Sequence, residues 1–242
     1  MPTPQPPSPA VVRLDGVSRR YRLGKTTIPA LREVSVEFRR GDFAAIAGPS
    51  GSGKTTLLNV IGCIDKPDGG RVFVDGQDVT AQPLHRLAAL RNERFGYVFQ
   101  TFNLIPVLTA YENVELPLLL GGVRRAERRA RVEAMLERVG LAGHRKHRPN
   151  ELSGGQRQRV AIARALVVAP LAVLADEPTA NLDSKTAAEI VALMHALNES
   201  EQVTFVFSTH DQRIIGQARR VLWLADGVIR EDAVARPRAA GE

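Results

Sequence analysis

The chain has 242 residues, a length that buries one substantial core and favours one domain over two. Hydrophobic residues make up 44% and charged residues 24%, ordinary for a globular protein and incompatible with a chain disordered throughout. Cys63 is the single cysteine, which excludes an internal disulfide framework and fits a reducing compartment. It lies in an apolar stretch and reads as a small buried hydrophobe.

In chain order, the proline-rich residues 1–10 lack both the basic and the apolar parts of a signal peptide and read as a disordered leader. Val11 to Phe38 alternates like strands of an antiparallel sheet, and Val72 to Gly76 looks like a hairpin edge of the same sheet. Further strands are predicted at Phe43–Ala47, Tyr97–Phe99, Leu171–Ala175, Val203–Ser208 and Val221–Leu224. Helical patterns run over Lys54–Ile61, Leu84–Arg91, Ala126–Val139, Gly154–Val168 and Ser184–Leu197. Thr109 with Glu112 forms a capping box, so a short helix is expected there. Strands alternating with helices signal an α/β fold with crossover helices. Residues 231–242 read as a polar tail.

The net charge of +7 owes much to the arginines between Arg124 and Arg148. Val132, Met135, Leu136 and Val139 give that stretch one apolar face, so the arginines read as a solvated face, with attraction to a membrane surface as the alternative. No aromatic residues interleave them, which argues against nucleic acid. The longest apolar run, Ala165 to Ala175, is broken by Pro170 and falls short of the roughly 20 residues of a spanning helix, so no direct membrane insertion is expected.

Gly48 to Thr55 fits G-x-x-x-x-G-K-T between a strand and a helix. Glycines let the backbone aim successive N–H groups at phosphate oxygens, and a helix N-terminus adds its positive dipole end. Ser50, Gly51, Ser52, Gly53, Lys54, Thr55 and Thr56 are the expected phosphate-binding residues. Lys54 supplies a full charge, and Thr55 offers a hydroxyl to Mg²⁺. The apolar strand before Asp176-Glu177 ends in two carboxylates, where an α/β sheet places its ligand. Asp176 reads as a metal ligand and Glu177 as the general base for water attacking ATP. His210, after the run Thr204–Thr209, is expected to contact the γ-phosphate and that water. Gln100, at the end of another strand, carries an amide that can reach Mg²⁺ or the water.

Leu152-Ser153-Gly154-Gly155-Gln156 opens a helix and has the makings of a second anion site: a hydroxyl, two glycines and a helix N-terminus. Five fixed residues in order arise by chance on the order of a few times in ten thousand chains of this length. Two phosphate-binding ends with one set of carboxylates imply a two-fold homodimer, each Ser153-Gly154-Gly155-Gln156 covering ATP on the other protomer.

From about Val11 to Ile229 the chain resembles the ABC-type ATPases. The resemblance implies a P-loop (RecA-like) ATPase core over 11–230 with an antiparallel β subdomain and an inserted α-helical subdomain at about 101–165. Tyr21 matches the family's adenine-stacking aromatic, a core tyrosine being the alternative. Asn181-Leu182-Asp183 matches the D-loop that passes between the two ATP sites. Residues 97–104, 108–114, 149–156 and 176–183 look like the branch of lipoprotein-releasing, macrolide-exporting and cell-division ATPases, apart from Ala180, where that branch often has glycine. That branch implies ATP and Mg²⁺, an integral membrane permease as partner, and a cytoplasmic position against the inner membrane. The cell-division relatives keep a second role in view, ATP-driven signalling to an enzyme outside the membrane without transport.

Overall fold

Apolar-polar alternation at the start of the chain builds β1 (Ala10–Leu23) and β2 (Thr26–Arg39), two 14-residue strands paired antiparallel. This computed structural model describes residues 10–24 and 26–234. The expected leader therefore lies outside the described residues except for Ala10, which already belongs to β1. β4 (Gly69–Val74) pairs with β1, and Asp75-Gly76, both at positive φ (50° and 76°), turn the chain into β5 (Gln77–Asp78). The four form one sheet in the order β2-β1-β4-β5, so the expected hairpin edge is present.

The second sheet begins with β3 (Phe43–Ala47), buried at every position as a central strand covered on both faces should be. Its six strands run β10-β9-β3-β8-β7-β6. β6 (Phe95–Val98), β7 (Ala172–Asp176), β8 (Thr204–Ser208), β3 and β9 (Arg220–Ala225) are parallel, and β10 (Val228–Val234) closes the edge antiparallel. β10 was not expected from the sequence, and its last four residues fall in the supposed polar tail. Glu231 and Asp232 suit an edge strand with a wet face, and Arg220 pins the strand through Asp232 at 2.6 and 2.7 Å. Residues 235–242 of that tail lie outside the described residues.

α1 (Lys54–Ile61) sits between the two sheets, its Leu57, Leu58, Val60 and Ile61 buried with β1, β2 and β4 in one core cluster. A second cluster gathers α5 (Gly154–Leu166) and α6 (Ser184–Glu201) on the other face of the six-stranded sheet, with α3 (Ala110–Leu120) and α4 (Arg125–Arg138) continuing it outwards. The remaining helices are α2 (Leu84–Arg94), leading into β6, and α7 (Gln212–Gln217). The Thr109–Glu112 capping box starts α3 as expected. In α4 the apolar face is buried, and Arg128, Arg129, Arg131 and Arg138 pair with Glu115, Glu133, Glu127 and Glu201. Among the described residues no helix is long and apolar enough to cross a membrane. Cys63 is buried, and desolvation pushes its thiol up to about 11.

Candidate active site

β3 delivers the chain into Gly48, where a side chain cannot fit: a Cβ would stand 2.0 Å from the Leu224 carbonyl oxygen. A Cβ at Gly53, whose φ is +104°, would stand 2.4 Å from the Ala30 carbonyl. The loop therefore threads between backbone of β9 on one side and β2 on the other. It is also tied from behind, because Gly227, at the β9–β10 turn, donates its N–H to Ser52 O at 3.0 Å. α1 starts at Lys54 with no side-chain cap, which leaves its first N–H groups to a ligand. Ser52 is buried with its Oγ unpartnered, while Ser50 and Gly51 are exposed at the loop's outer turn. Lys54 folds over the loop and donates to the carbonyls of Gly48 (2.9 Å) and Pro49 (2.8 Å). Unclaimed N–H groups, an orphan hydroxyl and one cation make this cradle fit a polyphosphate.

Thr55, one residue on, donates its hydroxyl to Asp176, both carboxylate oxygens standing at 3.2 Å. A hydroxyl and a carboxylate side by side at a phosphate cradle are the hard oxygen donors that suit Mg²⁺. Glu177 points elsewhere. Its φ of +46° is left-handed, a conformation that costs a non-glycine residue on the order of 1 kcal/mol. Its carboxylate is 17% exposed and lies 2.7 Å from His210 Nδ1, with the Thr209 hydroxyl donating at 3.3 Å. His210 reaches it because β7 and β8 are neighbours in register, Asp176 beside Ser208. With Glu177 ionised, Nδ1 carries the proton and Nε2 is left facing solvent on a ring that is 76% exposed. Below this pair, buried Thr179 donates to Asp211 at 2.6 Å. Burial alone would raise the Asp211 carboxyl, but hydrogen bonds from Arg213 and Thr179 outweigh it and hold it at about 2.

Gln100 follows β6, which neighbours β7, so its backbone lies at the same sheet edge as Asp176. Its main-chain carbonyl accepts from Asn181 Nδ2 at 2.8 Å. Phe102 and Asn103, just beyond, are both left-handed, with φ of +62° and +47°. Thr56, the next residue of α1 after Thr55, is half-buried.

Tyr21 is half-buried rather than a core residue; its hydroxyl bonds the Asp65 carboxylate, and the Arg19 guanidinium lies 4.9 Å from the ring centroid. Arg19 in turn pairs with Asp65 and Asp68 at 2.8 and 3.0 Å.

The Ser153 end of α5 is a reciprocal cap: Ser153 Oγ accepts from Gln156 N at 3.2 Å, and Gln156 Oε1 accepts from Ser153 N at 2.8 Å. Gln156 Nε2 also meets His144 Nε2 at 3.0 Å, so this amide is committed within its own chain. Asp183 likewise caps α6, accepting from the N–H groups of Lys185 and Thr186; the Thr186 side chain first, and then these N–H groups, lower its carboxyl. Gly154 packs on Leu182, and a Cβ at Gly155 would stand 2.5 Å from Thr186 Cγ2. These contacts join the start of α5 to the Asn181–Thr186 segment; none of them involves Gly48–Thr56. Thus Thr55, Asp176, Glu177, His210 and Gln100 share one sheet edge, and Ser153–Gln156 stand apart from it.

Three residues here escaped the sequence reading. Thr209 touches Glu177, while Arg157 and Arg164 of α5 grip the segment after Gln100. Thr209 stood beside His210 in a run already noticed; the arginines carried no local signal, since their partners are backbone carbonyls and a ring far away in sequence.

A family model described as ABC transporter matches residues 31–180. An uncharacterized ABC transporter ATP-binding protein of Thermotoga maritima is 48% identical over 219 residues, covering 90% of this chain and 93% of its own. The macrolide export ATP-binding/permease protein MacB of Syntrophobacter fumaroxidans is 47% identical over 225 residues, 92% of this chain; the chain spans only 32% of that relative's length. Among solved structures, a dimeric post-hydrolysis state of the ATP-binding cassette MJ0796 bound to ADP and Pi is 44% identical, with a TM-score of 0.85 over 94% of this chain and 100% of the other. With a phosphate cradle, a carboxylate pair and these relatives together, the chain belongs to the ABC transporter ATP-binding family and is an ATPase.

Proposed function

We propose that the chain is the ATP-hydrolysing subunit of a bacterial ABC transporter, dimerising on ATP to drive export or extraction by a separate inner-membrane permease. The observation that carries this reading is the separation of two anion-binding helix ends, α1 at Lys54 and α5 at Ser153, in a chain with one set of carboxylates. A second copy, turned about a two-fold axis, brings the Ser153 end of one protomer over the cradle of the other. That the similar MJ0796 cassette is dimeric with ADP and Pi bound supports a dimer as the working state.

In this reading the cradle N–H groups and Lys54 bind the phosphates, and Tyr21, steadied by Asp65, faces the base. Thr55, Asp176 and Gln100 would hold Mg²⁺, which supplies charge neutralisation on the phosphates when bound. Glu177 takes the proton of the attacking water, held in place by Thr209 and by the Nδ1–H of His210. Ser153, Gly154 and Gly155 of the opposing copy close on the γ-phosphate, and its loss on hydrolysis removes what held the halves together.

A groove of about 700 Å³ between α2, β6, α3 and α5, lined by Asn92, Tyr97, Phe99, Leu120 and Arg164 among others, is the surface that suits a permease segment. Such a partner places the chain on the cytoplasmic face of the inner membrane.

Glu177→Gln tests the core of the proposal. Steady-state turnover should fall by ~10²–10⁴ while ATP binding persists, and a dimer should accumulate with Mg-ATP in the presence of the co-expressed permease. Turnover at the normal rate, or a protein that stays monomeric, overturns it.

A further inference from the structure

Most arginines of the described chain that have partners pair with carboxylates; Arg164 does not. It sits on α5 and lines the groove, half-buried, and desolvation lowers its guanidinium. A partly desolvated cation without a carboxylate depends on its remaining hydrogen bonds. Its two contacts are both main-chain carbonyls: Nη2 donates to Phe102 O at 2.9 Å, and Nη1 donates to Asn103 O. Those carbonyls belong to the two successive left-handed residues that follow Gln100. Two turns earlier on α5, the Arg157 guanidinium lies 5.3 Å from the Phe102 ring centroid. Asn181 holds the Gln100 carbonyl from the other side. The segment from Gln100 to Asn103 is thus forced into an unfavourable backbone path and kept there by a planar two-pronged donor.

We infer that Arg164 is a positioning residue for hydrolysis: its fork locks the Phe102–Asn103 turn and thereby sets where the Gln100 amide points at the sheet edge. The inference rests on Gln100 acting in the ATP site as proposed above. A lysine at 164 keeps charge and stem but cannot reach two carbonyls with one rigid plane.

The test is a double-mutant cycle on the full chain, with kcat and KM for Mg-ATP measured for wild type, Gln100→Ala, Arg164→Lys and the double variant, and thermal melting recorded for each. Arg164→Lys should lower kcat ~10-fold with KM changed less than about twofold, and the double variant should be no slower than Gln100→Ala alone. Three results overturn the inference. Normal kcat in Arg164→Lys with an impaired Gln100→Ala removes Arg164 alone. Effects that multiply in the double variant make Arg164 a generic structural residue. Normal hydrolysis in Gln100→Ala removes the Gln100 role itself, and the inference with it. Should Arg164→Lys fail to fold, the cycle is run with Arg164→Gln, which keeps a donor and drops the charge, under the same three criteria.

Discussion

The two helix ends proposed to bind phosphate, at Lys54 and at Ser153, are built on opposite plans. α1 opens on a glycine at φ +104° with no side-chain cap, so its end is held by what presses on it from outside, the backbone of Ala30 and the Gly227–Ser52 hydrogen bond. α5 opens on a full capping box, and its glycines rest on Leu182 and Thr186 of the same chain. An uncapped end has donors to give and is a seat for a ligand. A capping box satisfies the N–H groups of Ser153 and Gln156 and fixes the end's shape, while those of Gly154 and Gly155 are left for a ligand. The difference suits a seat that binds nucleotide first and a lid that needs no nucleotide to keep its shape.

Three substitutions would break or sharpen that contrast. The largest effect is expected from Gly53→Ala, which sets a Cβ against the Ala30 carbonyl in a left-handed conformation: ATP binding by equilibrium titration should weaken ~100-fold or more. Near-normal binding would mean that the seat does not depend on its squeezed backbone. Ser153→Ala should act differently. Loss of the cap costs about 1 kcal/mol in denaturant unfolding, and hydrolysis should fall ~10-fold, while ATP affinity of the isolated protomer stays within about twofold. Weakened binding by the monomer would show that the lid is part of the seat after all. The smallest effect concerns the floor under Glu177. Asp211 sits at about 2 when folded against an ordinary 3.8, so its contribution to stability is present above about pH 4 and lost as pH falls towards 2. Solvent screening limits it to about 1 kcal/mol. Asp211→Asn should therefore be less stable at neutral pH, and chemical denaturation should find the gap narrowing on acidification.

Periodicity sufficed for most of the scaffold: α1 matches residue for residue, and β3, β7, β8 and β9 fall within a residue or two of expectation. It failed at β10, where Glu231 and Asp232 hide an edge strand whose partner is supplied only by the tertiary fold. α7 escaped because six residues are too few for a helical pattern to stand out. At the site, residue types and spacing pointed to the cradle and to Asp176 and Glu177, since those depend on local chain. The divergence of the two carboxylates was not legible, because it comes from a left-handed backbone at a glutamate, which no composition rule favours. Gln156 and Asp183 were expected against nucleotide; in the single protomer their side chains cap helices. Arg164 was invisible for the reason that makes it informative: its partners are carbonyls, present in every residue.

The Asp226-Gly227 turn holds none of the residues proposed to bind phosphate, yet its amide is bolted to the Gly48–Thr55 loop at Ser52. A linear map would mark everything after β9 as trimming. In three dimensions the final hairpin is a backstop, and a chain cut short at Ala225 should bind nucleotide more weakly although it keeps every residue proposed to touch it.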